Sequence, residues 1–217
     1  MHITILTLFP DFFQPLFLSL LGKALEKGLW SLEVVCLRDY GIGQRKTVDA
    51  PCYGGGAGML LRPDVIHHAL DDKIGKIDPK PLCLYLSAKG TAVQQQHLEQ
   101  WSAQQHLVLL CGRYEGVDQR VLDFWNFQEV SIGEFVVCGG EAPALMLIEG
   151  CIRWLPGVLG NTESLVCESF RDGLLEHPHY TRPYNWMGMQ VPNVLISGHH
   201  QKIDQWRLAQ SQKQPQN

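Results

Sequence analysis

Four glycine-containing stretches carry the residues best suited to chemistry. Residues 53–58 read YGGGAG, four glycines in five positions behind a polar segment that holds Arg45 and Lys46. Backbone at such a run reaches positive φ and brings its N–H groups close to a ligand, which suits phosphate or another acceptor-rich group. A triphosphate loop is excluded, because no GK[ST] follows and the glycine spacing does not match GxGxxG. The other three stretches are LYLSAKG at 84–90, CGRYEG at 111–116 and SIGEFVVCGGE at 131–141, each beside or around a short apolar run. A ligand held mainly by backbone groups fits turns of this kind, with Tyr114 and Phe135 as walls for stacking.

The elements that must position these turns follow from periodicity. Apolar runs at 2–8, 32–37, 82–86, 107–111 and 135–138 predict buried strands. Helix-like segments at 11–27, 62–72, 91–104, 116–125 and 141–154 separate them. The alternation predicts an α/β fold, a largely parallel sheet with helices on both faces and a ligand crevice at the carboxyl ends of its strands. Residues 1–157 read as that domain, 158–172 as an interdomain linker and 173–217 as a small, mainly helical C-terminal domain in which Trp206 is a docking residue. The terminal KQPQN reads as frayed.

Composition removes several function classes. The 217 residues carry 18 basic and 22 acidic side chains, a net charge of −4, which argues against coating nucleic acid by bulk charge. With 45% apolar and 18% charged residues the chain has a core to form, so disorder is excluded. Seven cysteines, odd in number and without a CxxC pair, argue against a short-spaced zinc site and suit free thiols in a reducing cytoplasm. His177, His179, His199 and His200 lack an acidic or cysteine partner at ligand spacing, so packing or RNA contact is their expected role. No membrane span and no leader is expected, which gives a cytoplasmic reading.

CGRYEGVDQRV, SIGEFVVCGGEAPAL, TVDAPCYGGGAGM, RWLPGVLGN and HPHYTRP, with LTLFPDFF near the start, resemble the bacterial tRNA (guanine-37-N1) methyltransferases of the SPOUT superfamily. The likeness implies a deep trefoil knot, a rare exception to ordinary chain connections. It implies S-adenosylmethionine bound in that knot and a homodimer with its active site at the subunit interface. It also implies tRNA as partner, with the small C-terminal domain helping to hold it. Carried over by position, the cofactor residues are Tyr85, Leu86, Ser87, Gly112, Tyr114, Glu115, Gly116, Ile132, Gly133, Glu134, Phe135, Val136, Val137, Gly139, Gly140 and Pro143. Glu115 falls near the reacting end, where the family's magnesium requirement has been linked to an acidic residue, with no fixed metal cage.

Guanine N1 carries a proton at neutral pH, so it accepts a methyl group only if that proton leaves and the charge developing on O6 is stabilised. The resemblance gives the second role to Arg153 and the first to an acidic residue just before Ser169-Phe170. Aspartate is usual there, and this chain has Glu168, with Asp172 as the rival base. A solvated glutamate near its reference pKa of about 4.3 is a poor base for guanine, so a partly buried Glu168 with a raised pKa is expected in the bound complex. The RNA-contacting candidates are Arg45, Lys46, Gly54, Gly55, Arg113, Arg171 and Arg182. Two departures fall on the RNA side: Ala50 and Pro51 replace an acidic and a basic residue, and the chain stops near RLAQSQKQPQN. They leave open a second reading, a cofactor-binding RNA module with weak or no turnover.

Overall fold

Near-continuous burial along apolar runs assembles a parallel sheet covered on both faces. The computed structural model describes residues 1–160, 169–170 and 174–213. Contacts divide the chain into two units, Met1–Gly160 and Asn161–Asn217. In chain order the first unit holds β1 (His2–Thr7), a 3-10 segment (Pro10–Phe17), α1 (Ser19–Glu26), β2 (Ser31–Cys36), β3 (Asp49–Pro51), β4 (Met59–Leu61) and α2 (Pro63–Ile74). It continues with β5 (Leu82–Ala92), α3 (Gln95–Ser102), β6 (His106–Cys111), α4 (Gln119–Phe124), β7 (Gln128–Ser131) and α5 (Glu141–Ile152). The main sheet has the order β2-β1-β6-β5-β7, and every pair in it is parallel.

Side chains on each strand alternate between two cores. Leu107, Leu109 and Cys111 of β6 join Ile3, Ile5, Leu84 and Leu86 beneath the 3-10 segment, α1, α3 and α5. Val108 and Leu110 join Leu6, Cys83 and Tyr85 beneath α2 and α4. Both faces are thereby covered, which leaves the carboxyl edge, where Thr7, Cys111 and Ser131 end their strands, as the place where loops gather.

Two expectations are corrected. Residues 135–138 form no strand: Phe135, Val136 and Val137 are exposed, Val136 at 85%, in a loop between β7 and α5. The last strand is the mixed segment Gln128–Ser131, selected by pairing with β5 rather than by apolar character. The helix expected over 11–27 is broken, because Pro15 lies within a 3-10 segment and Leu18 is extended before α1 begins at Ser19.

In the second unit, β8 (Leu174–Leu175) pairs with β11 (Gln212–Lys213), and β9 (Asn185–Trp186) pairs with β10 (Met189–Gln190). Met187 and Gly188 turn the latter hairpin with φ of 52° and 84°, and the Gly188 N–H donates to the Asn185 side chain at 2.9 Å. Helix α6 (His200–Gln210) carries Trp206, whose ring lies near those of His177 and Tyr180. The linker expected over 158–172 falls largely outside the described residues.

Candidate functional site

The turn after β6, the turn within β5 and the loop after β7 meet around a cavity of about 390 Å³ at the carboxyl edge of the sheet. Most of the residues expected to bind a cofactor line it: Tyr85, Leu86, Ser87, Gly112, Tyr114, Glu115, Gly116, Ile132, Phe135, Val136, Val137, Gly139, Gly140 and Pro143. Gly133 and Glu134 do not line the cavity, although they lie in the same loop. Arg113 and Cys138 line it within the same turns, and Ala88, Lys89, Val117 and Ser131 line it from outside the segments expected to hold a cofactor.

Close backbone approach holds this geometry. A Cβ on Gly140 would lie 2.7 Å from the Cys111 Cα, and one on Gly112 would lie 2.8 Å from the Tyr85 Oη. The Gly140 N–H donates to the Gly112 carbonyl at 3.0 Å, joining the two turns directly. Tyr114, an exposed non-glycine residue, has φ of 60°, a conformation that the Gly116 N–H to Arg113 carbonyl bond at 3.0 Å closes into a turn. At the start of the last loop, the Ser131 hydroxyl donates to the Gly133 carbonyl at 2.9 Å.

The charges here are few and mostly engaged. Arg113 is paired with the buried Glu141 at 2.8 Å. Lys89 lies 3.3 Å from Glu129, mostly in solvent. Burial pushes the Tyr85 phenol up to about 12, with the Glu129 carboxylate adding to the effect, so the phenol stays neutral. Burial likewise raises the Cys111 thiol. Among the described residues no group of three histidines, cysteines or acids is placed to hold a metal ion.

The YGGGAG run is the turn of an antiparallel hairpin, β3 against β4. Gly54 and Gly55 have φ of 87° and 81°, and Tyr53 beside them is 98% exposed. This hairpin is fastened to the cavity, since the Glu115 N–H donates to the Met59 carbonyl and the Leu61 N–H to the Gly116 carbonyl, each at 3.0 Å. The Glu115 side chain rests on Gly58, which has no room for a Cβ. Arg45 and Lys46 are exposed in the turn just before it, and Lys46 makes a solvent-exposed pair with Asp39 at 3.3 Å.

The remaining candidates are dispersed. Arg153 is half-buried at the end of α5, and its N–H donates to the Glu149 carbonyl at 3.3 Å. Ten residue steps along α5 at about 1.5 Å each put it roughly 15 Å along the helix from the cavity-lining Pro143. Arg182 is exposed in the second unit. Glu168, Arg171 and Asp172 lie outside the described residues. Arg113, expected at RNA, instead points its donors inward to Glu141 and the Cys138 carbonyl. Its partner Glu141 was missed, because a glutamate opening a helix reads as a solvated, dipole-favoured charge.

A family model described as tRNA (Guanine-1)-methyltransferase TrmD matches residues 1–217. A protein of a Ruegeria species named tRNA (guanine-N(1)-)-methyltransferase is 52% identical over 211 residues, 96% of this chain and 86% of the relative. Proteins of the same name from Rhodospirillum rubrum and Ehrlichia canis are 50% and 43% identical, covering 96% and 97% of this chain and 87% and 90% of their own.

Proposed function

The chain belongs to the tRNA (guanine-1)-methyltransferase family, and from that premise we propose that it transfers a methyl group from S-adenosylmethionine to N1 of guanine 37 in tRNA, working as a cytoplasmic homodimer. The observation that carries this reading is the convergence of three backbone-lined turns on one cavity. Its volume of about 390 Å³ lies in the range of small-molecule sites, about 300–1,000 Å³. Apolar walls from Leu86, Ile132 and Phe135 alternate with backbone at Gly112, Gly116 and Gly140, which suits an adenosine lying against the chain. When bound, the sulfonium supplies an electrophilic methyl group.

Residues of the chain do the rest. Glu168 takes the N1 proton, which requires it within hydrogen-bond reach, about 2.6–3.2 Å, and Asp172 is the alternative base. The Arg153 guanidinium faces O6 and stabilises the charge that develops as the proton leaves. Magnesium finds a single cavity-lining carboxylate, Glu115, so the described residues supply no cage and no step is routed through a metal.

The position of Arg153 supports the dimer. Roughly 15 Å of α5 separates it from Pro143 of its own cavity, so a second copy supplies the Arg153 that works at each donor site. Phe12, Phe17, Leu18, Leu20 and Met146 are exposed on the 3-10 segment, α1 and α5, elements that touch one another, and a second copy would cover them. The same family reading includes a knot among these turns. The flanking Arg45, Lys46, Gly54 and Gly55 on one side, and Arg171 and Arg182 in the C-terminal unit, would hold the tRNA backbone, positioning without specifying. The target base is read by being turned out into the pocket.

Mass spectrometry of nucleosides after incubating the protein with S-adenosylmethionine and a guanine-37 tRNA transcript tests the whole reading. The expected product is 1-methylguanosine, absent when guanine 37 is replaced. Donor binding without product would leave only the cofactor-binding RNA module.

A further inference from the structure

The LTLFPDFF segment, residues 6–13, stands out in the sequence but contributes nothing to the cavity lining. Its Thr7 and Phe9 instead meet a buried charge. Glu141, the first residue of α5, is 0% exposed. Its Oε1 accepts the Thr7 hydroxyl at 2.8 Å, and its Oε2 accepts Nε and Nη2 of Arg113, both at 2.8 Å. The Thr7 Oγ1 in turn accepts the Phe9 N–H at 2.9 Å, and the Phe9 ring lies 4.4 Å from the Arg113 guanidinium carbon. The third arm of Arg113 donates to the Cys138 carbonyl at 3.3 Å, and the guanidinium runs across Gly139, which has no room for a Cβ.

Among the described residues, Arg113 makes the only side-chain hydrogen bonds between the turn after β6 and the loop after β7. A buried ion pair contributes little to stability against an apolar replacement, because desolvation offsets its attraction, whereas it does fix geometry. We propose that Thr7, Glu141 and Arg113 form a positioning network for the methyl donor, setting the separation of the two turns that enclose it. This rests on the S-adenosylmethionine reading. The strand end at Thr7 is the anchor, since β1 lies between β2 and β6 in the sheet and does not yield. Glu141 carries that fixed position to Arg113, and Arg113 carries it to the Cys138–Gly140 backbone.

Thr7→Val keeps the shape and removes the hydroxyl, and Thr7→Ser restores it. Arg113→Lys keeps the charge and loses the fork. Donor affinity by calorimetry, KM and kcat with saturating tRNA, and thermal melting without donor are measured for each. Thr7→Val and Arg113→Lys are expected to raise Kd and KM for S-adenosylmethionine by roughly tenfold or more, the worth of a hydrogen bond to a charged group, while kcat at saturation falls far less. Thr7→Ser is expected to return both constants to near wild type. A merely structural network would lower the melting temperature and the active fraction with KM unchanged, and folded variants behaving so would overturn the proposal. Should Arg113→Lys fail to fold, the Thr7 pair decides alone. Wild-type protein that shows no heat with S-adenosylmethionine would overturn the cofactor reading itself, a different outcome from equal binding by wild type and variants.

Discussion

Gly140→Ala tests the cavity with a single carbon. Gly140 has φ −77° and ψ −7°, a conformation open to alanine, so any effect comes from space alone. The new Cβ would lie 2.7 Å from the Cys111 Cα, 3.0 Å from the Gly112 nitrogen and 3.2 Å from the Cys111 carbonyl carbon. All three are main-chain atoms at or just past the end of β6, where Cys111 pairs with Leu86 of β5. The start of α5 must therefore retreat by about 0.7–1 Å to reach ordinary carbon contact near 3.5 Å. That movement also stretches the 3.0 Å bond from Gly140 N–H to the Gly112 carbonyl. Overpacking of this kind costs about 1–3 kcal/mol of stability. A donor site displaced by about 1 Å loses on the order of 10²-fold, about 2.8 kcal/mol at 1.4 per tenfold. Calorimetric titration with S-adenosylmethionine, alongside thermal melting, reads both quantities. Gly160→Ala, whose added Cβ would meet nothing within 4 Å, serves as the neutral control. A folded Gly140→Ala protein that binds the donor within about twofold of wild type would refute the claim that these two turns clasp the ligand.

Other perturbations separate the remaining roles. Arg153→Ala is expected to abolish methyl transfer with donor affinity nearly intact, and joint loss of both would mean that its role is not confined to guanine. Glu168→Gln is expected to stop turnover in single-turnover assays, and normal turnover there combined with a dead Asp172→Asn would move the base to Asp172. His106, 2.9 Å from the Thr4 hydroxyl and packed on the His2 ring, is lowered from 6.5 to about 4 by burial and then by His2. Above pH 6.5 it is neutral folded or unfolded and adds no slope; from there down to about pH 4 only the unfolded chain gains the proton, so stability falls with acidification and the effect levels off below. Urea midpoints between pH 8 and 4 should show this fall, flattened in His106→Gln; identical slopes in the two proteins would remove the assignment.

Much of the fold was legible because a parallel sheet covered on both faces demands continuous apolar strands. HITILTL, LEVVCL, LCLYL and LVLLC all pair as expected. FVVC failed for the same reason, since an apolar run is equally what a ligand-covering loop needs, and Phe135 and Val136 are exposed around the cavity instead. QEVS went unread because its partner, β5, rather than its own composition makes it a strand. The glycines marked the cavity well, since an added Cβ would lie 2.8 Å from the Tyr85 Oη at Gly112 and 2.7 Å from the Cys111 Cα at Gly140. Glu141 and Thr7 were invisible: their meaning comes from a contact between residues 134 positions apart. Arg113 read as a phosphate contact for want of that partner.

The first strand in chain order, β1, lies in the interior of the sheet. His2 is paired on one side with Ser31 and on the other with His106, so β1 keeps one bare hydrogen-bonding edge until the segment around His106 has left the ribosome. Pairings between such distant segments repay the entropy of closing long loops late, which slows folding of this unit. A nascent chain stalled before residue 106 would therefore expose an apolar β1 edge, a natural client for a chaperone.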